Sequence, residues 1–199
     1  MPRSGAEARA RLERAALELY IERGYDHTTA ADIAACAGVS ARTFFRHFAD
    51  KREVLFNVET GMEDAITQAL SAVPEDLPPI AAVLEALRSV APVLEENRDL
   101  ARARHRLIAT TPALRERELA KAASLGAAIA TGLRARGVEE WGATLVGRVS
   151  TAAWGHAIHA WTNDPSADYD ALLVRAFAEL SDFSGGLPHE GSPVRRPAR

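Results

Sequence analysis

Residues 28–56 read TTAADIAACAGVSARTFFRHFADKREVLF, and this stretch decides the fold because it predicts two short helices joined by a tight turn. Thr29 can cap the first helix through its hydroxyl, and Gly38 is the residue type that most easily takes the left-handed conformation ending a helix. Ser40 supplies a cap for the second helix, residues 41–48. Two helices with such a glycine turn form a helix-turn-helix, whose second helix suits insertion into the major groove of DNA.

The second helix of this motif has an inner and an outer face. Phe44 and Phe48 are four residues apart and form one apolar stripe that faces inward. The outer face contains Arg42, Thr43, Phe45, Arg46 and His47. Residues 40–52 hold four cationic side chains and a single acid, whereas a solvated helix more often mixes glutamate with arginine. This face favours contact with DNA, with Arg42 or Arg46 against a guanine edge.

Residues 9–56 resemble the DNA-binding domain of the TetR (tetracycline-repressor) family of bacterial one-component regulators. The positions that carry the resemblance are Gly24-Tyr25, Thr28-Thr29, Ile33-Ala34, Ala37-Gly38-Val39-Ser40, Phe44-Phe45-Arg46-His47-Phe48, Lys51 and Leu55. One position departs from the family pattern, because the usual Leu-Tyr pair is Phe44-Phe45 here. Phe45 lacks the hydroxyl that family tyrosines commonly offer to a phosphate, but its ring can still contact a sugar or a thymine methyl group.

The motif and the resemblance together predict a set of DNA-binding residues. Thr29, Ser40 and Lys51 are expected to contact phosphates, the first two from helix caps and the lysine as a charge. The complete predicted set is Thr28, Thr29, Ser40, Arg42, Thr43, Phe45, Arg46, His47 and Lys51. The resemblance implies a ligand-responsive repressor that binds a palindromic double-stranded DNA operator as a homodimer. The alternative is an all-α homodimer whose helix-turn-helix makes protein contacts without operator binding, and the outward phenylalanine between two cations favours the repressor.

Composition places the chain among globular proteins, with 199 residues of which 47% are apolar and 26% charged. It has no run of about 18 uncharged apolar residues, so neither a transmembrane helix nor a membrane partner is expected. The N-terminal stretch carries Glu7, Glu13 and Glu18 and predicts a helix, not a signal peptide. The single cysteine, Cys36, cannot form an internal disulfide. These features predict a cytoplasmic protein.

The charge is unevenly distributed along the chain. The net charge of −3 argues against a nucleic-acid partner if it is taken alone. Residues 1–52 nevertheless hold nine Lys and Arg against seven Asp and Glu, which leaves +2 there and −5 in the remainder. A modest, localised cationic face on an acidic body suits a protein that must release DNA on a signal, because uniform positive charge favours tight non-specific binding.

The rest of the chain is predicted to be all-α, because every later periodic segment has the 3.6-residue repeat of a helix. The expected helices are 6–23, 51–72, 79–96, 98–110, 112–136, 139–163 and 168–183. The predicted domains are a three-helix helix-turn-helix DNA-binding domain at 6–52, a C-terminal helical ligand-binding and dimerisation domain at 53–184, and a disordered tail at 185–199.

The last two predicted helices carry more apolar surface than a monomer can cover. Along residues 141–161, one face contains Trp154, Ile158 and Trp161, and a roughly opposite face contains Leu145, Val149, Ala152 and His156. A helix that is apolar on both sides must be buried on both sides. Pairing with symmetry mates in a four-helix bundle would bury it, so residues 141–183 predict a homodimer that Phe177→Asp should impair.

Catalytic and metal-binding patterns are absent from the sequence. It contains no nucleophile elbow, phosphate-binding glycine loop or zinc-protease motif, so neither enzyme activity nor a cofactor is expected. His156 and His159 are three residues apart on a predicted helix and could share a metal. No carboxylate or cysteine stands beside them at ligand spacing, which disfavours a metal site.

A small-molecule effector is expected in the helical core formed by residues 79–163, because bundle cores commonly hold such sites. The ligand is expected to be mostly apolar, and the candidate contacts by residue type are His105, Leu107, Trp154 and His156. The arginines at 102, 104 and 106 are spaced by two and are expected on a solvated surface. The hypothesis for regulation is that the ligand shifts the helix of residues 51–72, which continues into the helix-turn-helix unit.

Overall fold

A computed structural model describes residues 5–185, apart from the side chains of 57–60 and 183–185, and this part of the chain is entirely helical between its loops. The helices are α1 (Gly5–Arg23), α2 (Ala30–Cys36), α3 (Ala41–His47), α4 (Asn57–Ala72), α5 (Pro79–Arg88), α6 (Ala91–Glu96), α7 (Arg98–Thr110), α8 (Pro112–Ala135), α9 (Glu140–Asn163) and α10 (Tyr169–Gly185). The all-α prediction is confirmed. The predicted tail at 185–199 lies outside the described residues, except for its first residue.

The first three helices and a 3₁₀ turn (Glu53–Leu55) surround one apolar core, and we call them the N-terminal unit. Its fully buried side chains include Leu12, Ile33, Phe44 and Phe56. Gly38 has a φ of 67° in the turn between α2 and α3, a conformation that glycine takes without a steric cost. Ile108 and Leu114 belong to the same core although they lie in α7 and α8. The later helices therefore complete the core of the N-terminal unit.

Helices α4 to α6 and α8 to α10 surround a second core. Its most deeply buried side chains include Ile66, Leu87, Leu133 and Trp161. Helices α8 and α9 cross closely, since a Cβ built on Gly147 would stand 2.4 Å from the backbone oxygen of Gly126. Only a residue without a side chain allows this approach, so the two helices pack backbone to backbone at that point.

The predicted helix at 51–72 is wrong in its first turns. The Asp50 carboxylate accepts hydrogen bonds from the backbone N–H groups of Arg52 and Glu53, which favours a turn over a continuous helix. The 3₁₀ turn follows, and α4 begins only at Asn57. Val54, Leu55 and Phe56 are buried in the core of the N-terminal unit, so this segment is fixed there by its own side chains.

The predicted helix at 79–96 is also wrong, because it is two helices. Pro92 has no N–H group to donate to the carbonyl four residues earlier, at Arg88. Helix α5 accordingly ends at Arg88, and Pro92 lies in the first turn of α6, where the lost donor costs nothing. Among residues 5–185 no helix is both long and apolar enough to cross a membrane.

Candidate nucleic-acid interface and inner cavity

Helix α3 presents a polar and cationic outer face. Phe44 and Phe48 are 0% and 4% exposed, whereas Phe45 is 58% exposed. The rings of Phe44 and Phe45 meet edge to face with centroids 5.3 Å apart, so packing fixes the outward ring. Arg42 and Arg46 are exposed on either side of Phe45, and Thr43 and His47 are half-buried. This face offers two guanidinium groups, one apolar ring and one hydroxyl to a groove.

Both helices of the motif begin at side-chain caps. The Thr29 Oγ1 accepts a hydrogen bond from the backbone N–H of Asp32 at 3.1 Å, and the Asp32 carboxylate accepts from the backbone N–H of Thr29. Hydrogen bonds from the Thr29 hydroxyl and backbone lower the pKa of Asp32. The Ser40 Oγ accepts from the backbone N–H of Thr43 at 3.1 Å. These reciprocal bonds hold the starts of α2 and α3 in place.

Thr28 does not belong to the outer surface, which corrects its place in the predicted DNA-binding set. Its side chain is 1% exposed, and its hydroxyl donates to the backbone carbonyls of Gly24 at 2.9 Å and Leu19 at 3.4 Å. Burial of a hydroxyl is tolerated because these carbonyls satisfy it. Thr28 therefore fixes the loop between α1 and α2 from inside.

Lys51 also has an internal role that the sequence did not predict. Its ammonium donates to the backbone carbonyls of Tyr25 at 2.7 Å and Thr28 at 3.0 Å, and lies 4.1 Å from the centroid of the Tyr25 ring. The Tyr20 hydroxyl donates to the backbone carbonyl of Lys51 at 2.6 Å. Two of the three ammonium donors thus close the α1–α2 loop over the N-terminal unit.

His47 lies at the end of α3 beside cationic neighbours. Burial lowers the pKa of His47, and the charges of Arg46 and Arg9 lower it further. Its Nε2 is buried without a hydrogen-bond partner among the described residues, and the Arg9 guanidinium donates to its backbone carbonyl at 3.5 Å. These causes favour the neutral imidazole, so His47 adds no charge to this face.

A cavity of about 460 Å³ lies between α4, α6, α7, α8 and α9. Most of its walls are apolar, and they include Met62, Leu94, Leu125 and Ile158. Val93, Leu100 and Leu119 also line it and are 47%, 39% and 71% exposed, so the cavity opens to solvent through an apolar rim. An apolar opening of this kind suits the entry of a small hydrophobic molecule.

The cavity separates the predicted ligand contacts into two pairs. His105 and Trp154 line it, and the Trp154 indole N–H donates to the Tyr169 hydroxyl at 2.9 Å. Leu107 does not line it, because that position of α7 faces the core of the N-terminal unit. His156 is exposed on the outer side of α9 and is also outside the lining. Leu107 and His156 are therefore corrected as ligand contacts.

The arginines at 102 and 104 of α7 have partners inside the fold, so the solvated surface expected for them is wrong. The Nε of Arg102 donates to the backbone carbonyl of Thr162 at 3.0 Å. Arg104 lines the cavity, its Nε donates to the backbone carbonyl of Leu55 at 2.7 Å, and its guanidinium lies 4.9 Å from the centroid of the Phe56 ring. The sequence signal for Arg104 was its position four residues after Leu100, a helix neighbour that also lines the cavity.

Among the contacts that join the N-terminal unit to α7 and α8 are two polar ones between described side chains or carbonyls. One is the bond from Arg104 to Leu55, and the other is an ion pair between Arg117 of α8 and Glu53 of the 3₁₀ turn, with the second nitrogen–oxygen pair at 2.8 Å. Both partners on the N-terminal side lie in the segment that precedes α4. The link between the two cores therefore includes α7 and α8 as well as α4.

The helix-turn-helix and the helical body with a cavity define a class of DNA-binding regulators with an effector domain. Family models agree: residues 13–58 match the bacterial regulatory proteins of the tetR family, and residues 77–184 match the MftR C-terminal domain. The chain belongs to the TetR family of transcriptional regulators, as the sequence resemblance indicates.

Individual relatives agree with the family assignment. The chain is 43% identical over 82 residues to the HTH-type transcriptional regulator TcmR of Streptomyces glaucescens, a match that covers 41% of this chain. It covers only 36% of TcmR, so the chain spans little more than a third of that relative. Among solved structures, the repressor FadR of Thermus thermophilus with lauroyl-CoA has a TM-score of 0.57 at 26% identity, with 96% of this chain and 98% of that chain covered.

A second similar structure is SmeT, the repressor of a multidrug efflux pump of Stenotrophomonas maltophilia. Its complex with triclosan has a TM-score of 0.61 at 20% identity and covers 86% of this chain and 90% of that chain. At this identity the similarity concerns the fold alone.

Proposed function

We propose that this regulator binds a near-palindromic operator as a homodimer, represses transcription there, and is released by a small, mostly apolar ligand. The observation that supports operator binding is the outer face of α3, where Arg42, Phe45 and Arg46 are exposed side by side. Either arginine can form two hydrogen bonds to a guanine edge, and the ring can contact a thymine methyl group. Thr29 and Ser40 stand at the helix starts beside this face and are proposed to approach phosphates.

The proposed dimer uses the outer faces of α9 and α10. Trp161 points into the second core, whereas Leu145 is 45% exposed and His156 is exposed on the other side of α9. Val174 of α10 is 39% exposed. A twofold pairing of these helices would bury this surface and present two copies of α3 to successive major grooves, roughly 34–36 Å apart.

The proposed ligand occupies the cavity beside Trp154. Its volume of about 460 Å³ is within the range of small-molecule sites, and its walls are mainly aliphatic. The names of two similar proteins mention lauroyl-CoA and triclosan, both of which carry large apolar parts. These names support an apolar or amphipathic effector here.

For release, we propose that the filled cavity displaces α7 relative to the N-terminal unit. Arg104 lies in the cavity wall and bonds to the segment before α4, so a shift of α7 would change the position of the N-terminal unit. Two half-sites need a fixed distance between the α3 helices of the dimer. A ligand that favours another distance releases DNA in proportion to its differential affinity for the two states.

The test is a gel-shift titration with the DNA upstream of the gene for this chain. The combined variant Arg42→Ala, Phe45→Ala and Arg46→Ala should abolish the specific shift, because each lost arginine contact to a base costs about 1–3 kcal/mol. The matched control, Arg115→Ala with Arg134→Ala, removes the same two charges from exposed positions of α8. Equal operator binding by both variants would contradict DNA recognition through α3. A specific shift that no apolar metabolite relieves would contradict the proposed release by a ligand.

A further inference from the structure

Two histidines are hydrogen-bonded to each other across the cavity wall. The Nε2 of His105 on α7 lies 2.9 Å from the Nδ1 of His159 on α9, and the rings are 5.0 Å apart. Both residues line the cavity. Their shared bond uses one N–H and one bare ring nitrogen, and the Nε2 of His159 lies 3.2 Å from the side-chain nitrogen of Asn163. After uptake of one proton, the pair carries a positive charge that an acidic head can face.

The cavity wall on the α7 and α9 side of this pair is basic. Besides the two histidines, the ionisable residues of the lining are Arg104 of α7, Glu118 and Lys121 of α8, and Glu63 of α4. Burial lowers the pKa of His105, and the charges of His159 and Arg104 lower it further. Without a ligand, the neutral form of His105 is therefore favoured.

The acidic residues of the lining lie on the facing helices. The Glu63 carboxylate accepts a hydrogen bond from the Ser124 hydroxyl at 3.3 Å, and Glu118 stands three residues before Lys121 on α8. That wall mixes both signs of charge. Among the described residues that line the cavity from α7 and α9, by contrast, the ionisable groups are Arg104 and the two histidines, all basic.

We propose that the effector is an amphipathic anion, whose apolar body lies against Leu94, Leu125 and Ile158 and whose acidic head binds the His105–His159 pair. This inference rests on the proposed ligand-binding function and specifies its chemistry. A neutral hydroxyl would gain one hydrogen bond from the pair. A cationic head would be repelled by the Arg104 guanidinium, whereas an anion gains from that charge and from the protonated form of the pair.

The proposal has a signature in proton uptake. A bound anion raises the pKa of His105, because an opposite charge stabilises the protonated form. Affinity should therefore rise as pH falls through the window between the pKa of His105 with ligand bound and its lower pKa without ligand. The rise is limited to about tenfold per pH unit for one proton, and affinity is constant above and below the window.

The experiment compares three probes with the same alkyl chain on the full-length protein: decanesulfonate, decanol and decyltrimethylammonium. The sulfonate keeps its charge at every pH used, so any proton uptake belongs to the protein. Isothermal titration calorimetry in two buffers of different ionisation enthalpy measures the protons taken up per site. We expect decanesulfonate to bind at least tenfold more tightly than the other probes at pH 6.5 and to take up a fraction of a proton. Equal affinity for decanol, or no uptake between pH 5.5 and 8, would overturn the proposal.

Variants assign the effect to the pair. His105→Gln and His159→Gln should each abolish the proton uptake and the preference for the sulfonate, while decanol affinity stays within about twofold. The matched control is His156→Gln, which changes an exposed histidine of α9 outside the lining and should keep the wild-type probe affinities and proton uptake. Operator binding without probe should be the same in the wild type, His105→Gln and His159→Gln proteins. If the wild-type protein did not bind the operator without any probe, the proposed function itself would be contradicted.

Discussion

The Nε of Arg104 donates to the backbone carbonyl of Leu55 at 2.7 Å, which places one side chain in the cavity wall and against the N-terminal unit at the same time. Leu55 and Phe56 are 5% and 0% exposed in the core of that unit. A carbonyl in this position is costly to leave without a donor. A movement of α7 must therefore either carry this segment along or break the bond.

The first prediction is that Arg104→Met weakens the communication between cavity and operator. The variant should lose about 1–3 kcal/mol of unfolding free energy because the Leu55 carbonyl loses its donor, yet remain folded. Operator affinity is measured with and without saturating decanesulfonate, and the ratio of the two should fall towards one. Arg102→Met is the matched control, since the partner of Arg102 is Thr162 within the helical body. An unchanged ratio in an Arg104 variant that still binds the probe would contradict the prediction.

The second prediction concerns Lys51, whose ammonium closes the α1–α2 loop. Lys51→Ala should lower the unfolding free energy by about 1–3 kcal/mol, because the carbonyls of Tyr25 and Thr28 lose a charged donor. Denaturant unfolding measures this, with Arg42→Ala as an exposed control that should leave stability unchanged. The salt dependence of operator binding distinguishes the two roles of Lys51. If Lys51→Ala instead lowered the slope of log operator affinity against log salt concentration by about one and left stability intact, the phosphate contact that the sequence predicts for Lys51 would be supported.

The sequence was sufficient for the fold class and for the orientation of α3, because local signals fix both. Gly38, the caps at Thr29 and Ser40, and the spacing of Phe44 and Phe48 each act within one or two turns of a helix. Such signals can be taken from one short window of sequence. These local signals do not depend on which residues of other helices pack against the motif.

The sequence was insufficient where a residue acts over a long distance along the chain. Arg104 meets Leu55 across 49 positions, and His105 meets His159 across 54. From the sequence, Thr28 is expected at the surface of the motif, whereas its buried hydroxyl donates to backbone carbonyls of α1 and of the α1–α2 loop. In each case the partner is a backbone carbonyl or a side chain on another helix, which helical periodicity does not specify.

The third prediction is that Gly147→Ala destabilises the helical body. The new methyl group would stand 2.4 Å from the Gly126 carbonyl oxygen, and this backbone atom cannot turn aside as a flexible side chain would. Helices α8 and α9 must separate, at a cost of about 1–3 kcal/mol. Thermal unfolding measures the loss. Gly61→Ala is the matched control, because nothing lies within 4 Å of its Cβ position, and it should be neutral or stabilising by up to about 1 kcal/mol. Equal stability of the two variants would contradict the close crossing.

The fourth prediction concerns the proposed dimer and replaces the Phe177→Asp variant, which the sequence suggested, by another change on α10. Phe177 is 4% exposed and belongs to the second core, so Phe177→Asp would unfold the chain and could not report on assembly alone. Val174 lies one turn earlier on α10 and is 39% exposed. Val174→Asp should leave the helical content unchanged and place a charge from each copy in the proposed interface, which weakens pairing.

Light scattering at micromolar concentration should give a dimer mass for the wild type and a mass shifted towards the monomer for Val174→Asp. Circular dichroism of the same samples checks that the fold is retained. The control is Ile21→Asp, which adds the same charge at a 62% exposed position of α1, far along the chain from α9 and α10. It should remain dimeric, because it does not lie on the proposed interface. A wild-type monomer, or a dimer that Val174→Asp leaves intact, would show that the outer faces of α9 and α10 are not where two copies meet.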